Sequence, residues 1–142
     1  MLPAFNAEGN LPAGVHWTDW PEIEQRFGHN PHRVKLLEGF RKAIEELRAA
    51  GCKTVYLDGS FVTEKAQPND FDACWDLTDV DPDKLDPVFL DFDNSRATQK
   101  AHFFGEFFPA QFSEGVSGKT FLDFFQVDKQ TGNLKGIVGL NL

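Results

Sequence analysis

Residues Thr54 to Asp76 read TVYLDGSFVTEKAQPNDFDACWD, and this stretch decides the architecture. Thr54–Leu57 is apolar and β-branched, which predicts a strand. Asp58-Gly59-Ser60 then turns the chain. Phe61–Thr63 begins a short helical or turn segment, and Pro68-Asn69 breaks it. Phe71–Trp75 predicts a second strand. About ten residues separate Ser60 from Asp70, too few for a crossover helix, so the two strands are expected to pair antiparallel. Asp70 and Asp72 stand on alternate residues, and alternate strand side chains share a face. Two carboxylates on one face repel unless a cation or protons relieve them. They read either as a divalent metal site that handles phosphates or as two solvated turn carboxylates.

Before this stretch, Asn30-Pro31 opens the clearest helix. Asn30 suits the cap and Pro31 the first turn. Val34, Leu37, Ile44 and Leu47 recur at helical spacing, Leu36, Phe40 and Ala43 widen the apolar face, and Gly51 ends it. Gly39 within it lowers helix propensity, which points to close packing. Glu22–Phe27 predicts a short helix after Pro21, with Thr18 or Asp19 near its cap. Residues 1–21, with Phe5, Leu11, Val15, Trp17 and Trp20, fit no period and read as an ordered arm. His29 and His32 flank the long helix and lack a third ligand, so they read as surface residues.

After it, Leu77–Pro87 reads as an acidic loop, without the glycine and closing glutamate of a calcium loop. Val88–Phe92 predicts a strand or an extended segment, and Ser95–Phe104 a helix that leaves into a cluster of phenylalanines. Thr120–Val127 (TFLDFFQV) is the strongest strand by composition. Residues 128–133 form a turn, and Leu134–Leu140 predicts a last strand. Gly118-Lys119-Thr120 imitates the tail of a phosphate-binding P-loop. The required upstream glycine is replaced by Ser113, and a strand is expected to follow where that motif needs a helix, so the motif is rejected.

The 142 residues carry a net charge of −8 and include 15 Phe, 3 Trp and 1 Tyr. A phenylalanine-rich core or interface is expected. The negative charge argues against a broad basic nucleic-acid surface or an anionic membrane as partner. Cys52 and Cys74, beside predicted strands, read as buried free thiols rather than a disulfide. With no signal peptide and no apolar membrane span, a cytoplasmic location is expected. The elements predict one α+β domain over residues 1–142: a small mixed or antiparallel sheet with helices packed on one side, and an N-terminal arm over about residues 1–21.

Asp123 is a third carboxylate of interest. A charge inside TFLDFFQV needs a partner or an edge position. If that strand lies beside the one carrying Asp70 and Asp72, three oxygen ligands converge in a way that suits Mg²⁺.

Gly59-Ser60, the gap, Asp70-Phe71-Asp72 and the later lone Asp123 resemble the nucleotidyltransferase (DNA polymerase beta-like) superfamily, closest to its minimal stand-alone members. FNAEGNLPAGVHW, NPHR and YLDGSFVTEKAQPNDFDACWD are also similar to a family of uncharacterised bacterial proteins assigned to that fold. The resemblance implies a nucleotidyltransferase-like fold and metal-dependent transfer of a nucleotidyl group from a nucleoside triphosphate to a hydroxyl. Gly59 and Ser60 would hold the phosphates. Asp70, Asp72 and Asp123 would bind Mg²⁺ or Mn²⁺, and Asp123 would help activate the acceptor. The chain departs from the pattern after the serine, where Phe61-Val62-Thr63-Glu64-Lys65 offers only Lys65 as a positive charge. Arg96, Lys100 and Lys119 are further basic residues that sequence does not place. Glu64, the few basic residues near the motif and the aromatic arm at Phe5, Trp17 and Trp20 support an alternative, an inactive relative acting as a binding or regulatory module. The resemblance implies a helical toxin-type partner for it (a toxin–antitoxin pairing), and a phenylalanine-rich face could also serve a homodimer.

Overall fold

The computed structural model describes residues 1–142. Five strands form one sheet: β1 (Gly14–Thr18), β2 (Thr54–Asp58), β3 (Phe71–Trp75), β4 (Gly105–Pro109) and β5 (Gly136–Asn141), in the order β1-β5-β2-β3-β4. β2 runs antiparallel to β3, as the short Ser60–Asp70 connection requires, and also antiparallel to β5. β1 pairs parallel with β5, and β3 parallel with β4, so the sheet is mixed. The α+β expectation holds.

Four helices accompany it: α1 (Trp20–Phe27), α2 (Pro31–Ala49), α3 (Asp93–Phe103) and α4 (Phe121–Phe124). Asp19 caps α1 by accepting from the Glu22 amide at 3.0 Å, and Asn30 caps α2 by accepting from the Arg33 amide at 2.8 Å. The expected close packing at Gly39 is present. A Cβ there would lie 1.9 Å from the Phe103 carbonyl oxygen, so α2 and α3 touch backbone to backbone.

One sheet face, bearing Val55, Leu57, Phe71, Ala73, Trp75, Phe107, Val138 and Leu140, packs on α1, α2 and α3 in the main core. Phenylalanines knit this layer together: Phe40 meets Phe71 at 5.2 Å, Phe71 meets Phe107 at 5.5 Å and Phe89 meets Phe103 at 5.2 Å. The opposite face is only partly covered. Cys74 and Ile137 pack there with Tyr56, Phe108 and the α4 phenylalanines. Helices therefore lie on both faces rather than one. Both cysteines are buried and free, as expected.

Four local readings change. Thr120–Val127 is not a strand: Thr120 caps α4 by accepting from the Asp123 amide, and the chain bends into one helical turn. That turn stacks Phe121 on Phe108 at 4.1 Å and brings Phe125 to 6.0 Å from it, which an extended segment with i and i+4 on one face does not do. The phenylalanine cluster after α3 contains strand β4, and the arm contains edge strand β1. Val88–Phe92 is mostly a 3₁₀ turn, Pro87–Leu90, capped by Asp86. No helix is long and apolar enough to cross a membrane.

Candidate functional site

The end of β2 and the starts of β3 and β4 bring three acids into line. Asp58 pairs across the sheet with Asp72, and Asp72 pairs with Glu106. On each strand these residues fall on the face away from α2, because Leu57, Phe71, Ala73 and Phe107 occupy the alternate positions in the main core. Period two thus fixes a cross-strand row of carboxyls on the thinly covered face. Asp70 stands two residues before Asp72, half-buried at the rim.

Gly59 closes the row. Its φ of 83° lies in the left-handed region, and a Cβ would come within 2.8 Å of Asp72 Oδ2. Only glycine allows the turn and the carboxyl to touch. A recess of about 360 Å³ opens beside them, lined by Asp58, Gly59, Ser60, Asp72, Lys129 and Lys135 among others. The N-terminal arm forms part of its wall through Glu8 and Asn10. Asn10 donates to Asp128 at 3.2 Å, and the Glu64 amide donates to the Gly9 carbonyl at 3.1 Å.

Crowding sets the charge state. Burial, followed by a hydrogen bond to Glu106 and the charges of Asp58, Glu106 and Asp70, pushes Asp72 up to about 8. Against its own burial, Glu106 is held below its usual range by its hydrogen bond to Asp72 and then by Arg96 and Lys100. Arg96 donates to Glu106 Oε1 at 2.8 and 2.7 Å, and Lys100 lies 3.4 Å from the same oxygen. Burial raises Asp58 to about 6, against the pull of Lys135. Lys135 Nζ stands 3.6 Å from Asp58 Oδ1, which is buried and has no hydrogen-bond donor. Burial also raises Asp70, with Glu106 adding to it and Lys100 and Arg96 opposing.

Arg96 reaches Glu106 from an unusual backbone. Asn94, Ser95 and Arg96 all have φ between 51° and 62°, one left-handed turn that opens α3. Such a turn costs non-glycine residues roughly 1–2 kcal/mol each.

Behind the segment that follows Gly59-Ser60 lies Arg33, fully buried. Its guanidinium donates to the carbonyls of Phe27 (3.2 Å), Phe61 (2.8 Å), Thr63 (3.0 Å) and Lys65 (2.5 and 3.1 Å), and sits 4.8 Å over the Phe61 ring. It braces residues 61–65, the segment leaving Gly59-Ser60. Burial without a carboxylate partner lowers its pKa.

Of the residues expected at the site, Gly59, Ser60 and Asp72 line the recess, whereas Asp70 lines a different cavity, with His32 and Lys100. Asp123 does not join them: it is exposed on α4, outside the recess lining. Lys65 is also exposed and outside it, and Lys129 and Lys135 supply the positive charge instead. His32 is spent on the Pro68 carbonyl. Asp58, Glu106 and Arg33 are the additions. The rule that drew attention to Asp123, a lone charge in an aromatic run, applies equally to Glu106 in FFGEFFP. No three His, Cys, Asp or Glu side chains are grouped so as to enclose a metal ion as the chain stands.

A family model described as a family of unknown function, DUF6932, matches residues 3–141. No curated protein and no solved structure matches the chain.

Proposed function

The chain belongs to this family of unknown function, and we propose that it transfers a nucleotidyl group from a nucleoside triphosphate to a hydroxyl acceptor in a metal-dependent reaction. One observation carries the reading: Asp58, Asp72 and Glu106 stand in a row on three adjacent strands, beside the Gly59-Ser60 turn. A nucleotidyltransferase-like fold is supported by the antiparallel β2–β3 pair around that turn and by a carboxylate on the parallel neighbour β4.

The row fits a hard divalent cation chemically. Its donors are all oxygens, Asp58 Oδ1 is buried without a donor, and burial beside Glu106 and Asp58 raises Asp72 to about 8. Asp72 and Glu106 would hold Mg²⁺ or Mn²⁺, with Asp70 at the rim, and Glu106 takes the place that sequence gave to Asp123. Bound there, such a cation would offset charge on the transferring phosphoryl. Gly59 lets phosphates approach the backbone, Ser60 hydrogen-bonds to them, and Lys129 and Lys135 complement their charge. Arg33 keeps the turn in shape.

Titration calorimetry with ATP, GTP, CTP and UTP, with and without Mg²⁺, tests this. Metal-dependent binding is expected in the native protein and in Asp123→Asn, and is lost in Asp72→Asn and Glu106→Gln. Unchanged binding in both latter variants would sink the assignment. A second reading has its own support: Lys135, Arg96 and Lys100 already neutralise the row. Under it the chain is an inactive binding or regulatory module, toward a helical toxin-type partner or a second copy, and no nucleotide binds.

A further inference from the structure

Past Asp70, away from the Gly59-Ser60 recess, lies a second cavity of about 270 Å³, lined by His32, Lys35, Asn69, Asp70, Lys100 and Phe104 among others. Its ionisable side chains are mainly basic, in a chain whose net charge is −8. Lys100 connects it to the row through Glu106 at 3.4 Å. Lys35 is exposed and holds its ammonium 5.0 Å over the Phe104 ring. Phe104 ends α3 with φ 66°, a left-handed conformation costly for a bulky residue. The same ring packs against α2, where a Cβ on Gly39 would meet Phe104 Cδ2 at 2.8 Å. It therefore stands as a fixed, half-exposed platform beside two ammonium groups.

A flat ring and cations at one cavity recognise a nucleotide unit: the base stacks and the phosphate meets the ammonium groups. We propose that this cavity is the acceptor subsite, and that the acceptor is a nucleotide, its phosphate held by Lys35 and Lys100 and its base by Phe104. The role as acceptor rests on the transfer reading above; the binding does not. In the transfer, an acceptor hydroxyl oxygen forms a bond to the α-phosphorus of the nucleoside triphosphate. The bond from that phosphorus to the bridging oxygen breaks, pyrophosphate leaves with the electron pair, and the hydroxyl proton passes to water. A free mononucleotide and the end of a single strand present the same chemistry.

The test titrates adenosine 5′-monophosphate and a single-stranded RNA tetranucleotide, without divalent metal, into the native protein and into Lys35→Glu, Phe104→Leu and Lys135→Gln, followed by NMR. Shifts at Phe104 and His32 are expected with at least one ligand. Lys35→Glu should weaken that binding by roughly tenfold or more, Phe104→Leu should weaken it too, and Lys135→Gln should leave it unchanged. Tighter binding of the tetranucleotide assigns a strand end, and equal binding a free nucleotide. Binding that survives Lys35→Glu and is lost in Lys135→Gln puts the ligand in the first recess and overturns the proposal. So does binding of neither ligand, while metal-dependent triphosphate binding at the first recess is read separately by calorimetry.

Discussion

Arg33 shows what a single side chain does here. Its donors satisfy four main-chain carbonyls that no strand or helix pairs, all within reach of one buried planar fork. Lysine keeps the charge but offers three donors on a compact head, and cannot span them. Arg33→Lys is expected to destabilise the fold by about 2–3 kcal/mol, from buried carbonyls left without donors; denaturant unfolding measures it. A loss under 0.5 kcal/mol would show that water replaces the fork. Arg33 closes the NPHR segment, but no sequence pattern assigns it a role. It stands on a helix whose apolar period runs past it, and three of its four partners come from a loop about thirty residues on, contacts that no local pattern encodes. Gly59, Ser60 and Asp72 were legible because turn chemistry and period two are local rules. Asp58 and Glu106 join only through cross-strand register, which requires the sheet order.

Among the elements, α4 and the head of α3 carry the main surprises. The composition of TFLDFFQV favours a strand, yet Thr120 with Asp123 three residues later is also the signature of a capped helical start. The stacking of Phe121 and the tilted packing of Phe125 on Phe108 decide between the two, which is tertiary context overriding propensity. Strand β4 was hidden for a related reason: Gly105 and Pro109 look like breakers but sit at its two ends, where both are tolerated. At α3, the left-handed turn at Asn94–Arg96 holds the guanidinium on Glu106. Ser95 is exposed there with φ 57°. Ser95→Gly removes the steric cost of that conformation and is expected to stabilise the protein by up to about 1 kcal/mol. A drop in melting temperature in that variant would mean that the serine makes the turn rather than suffers it.

For the whole molecule, the row of acids sets how stability follows pH. Asp72 and Asp58 hold their protons more tightly folded than unfolded, at about 8 and about 6 against 3.8. Each therefore stabilises the fold where it is protonated. As pH climbs through the window from 3.8 to those values, the unfolded chain releases its proton first and stability falls, by up to roughly 1.4 kcal/mol per pH unit per group. Glu106, held low, works the other way: its contribution is present above its usual range and fades in acid. The native melting temperature is expected to fall between pH 5 and pH 8. Asp72→Asn should flatten the upper part of that fall and melt higher than the native protein at pH 8. Parallel melting curves for the two proteins across this range would remove Asp72 as the cause.

The pairing of β1 with β5 has a consequence for the order in which the protein comes into being. Gly14 waits for Gly136 and Thr18 for Leu140, and β2 has no neighbour on that side until the same late strand arrives. At a synthesis rate of about 5–20 residues per second, β1 leaves the ribosome on the order of ten seconds before its partner exists. In that interval Trp17 has no Gly139 to lie across, and β2 offers an open edge to any passing strand. Completion of the sheet thus waits for β5 and is a step of high contact order, and until then β2 is open to mispairing.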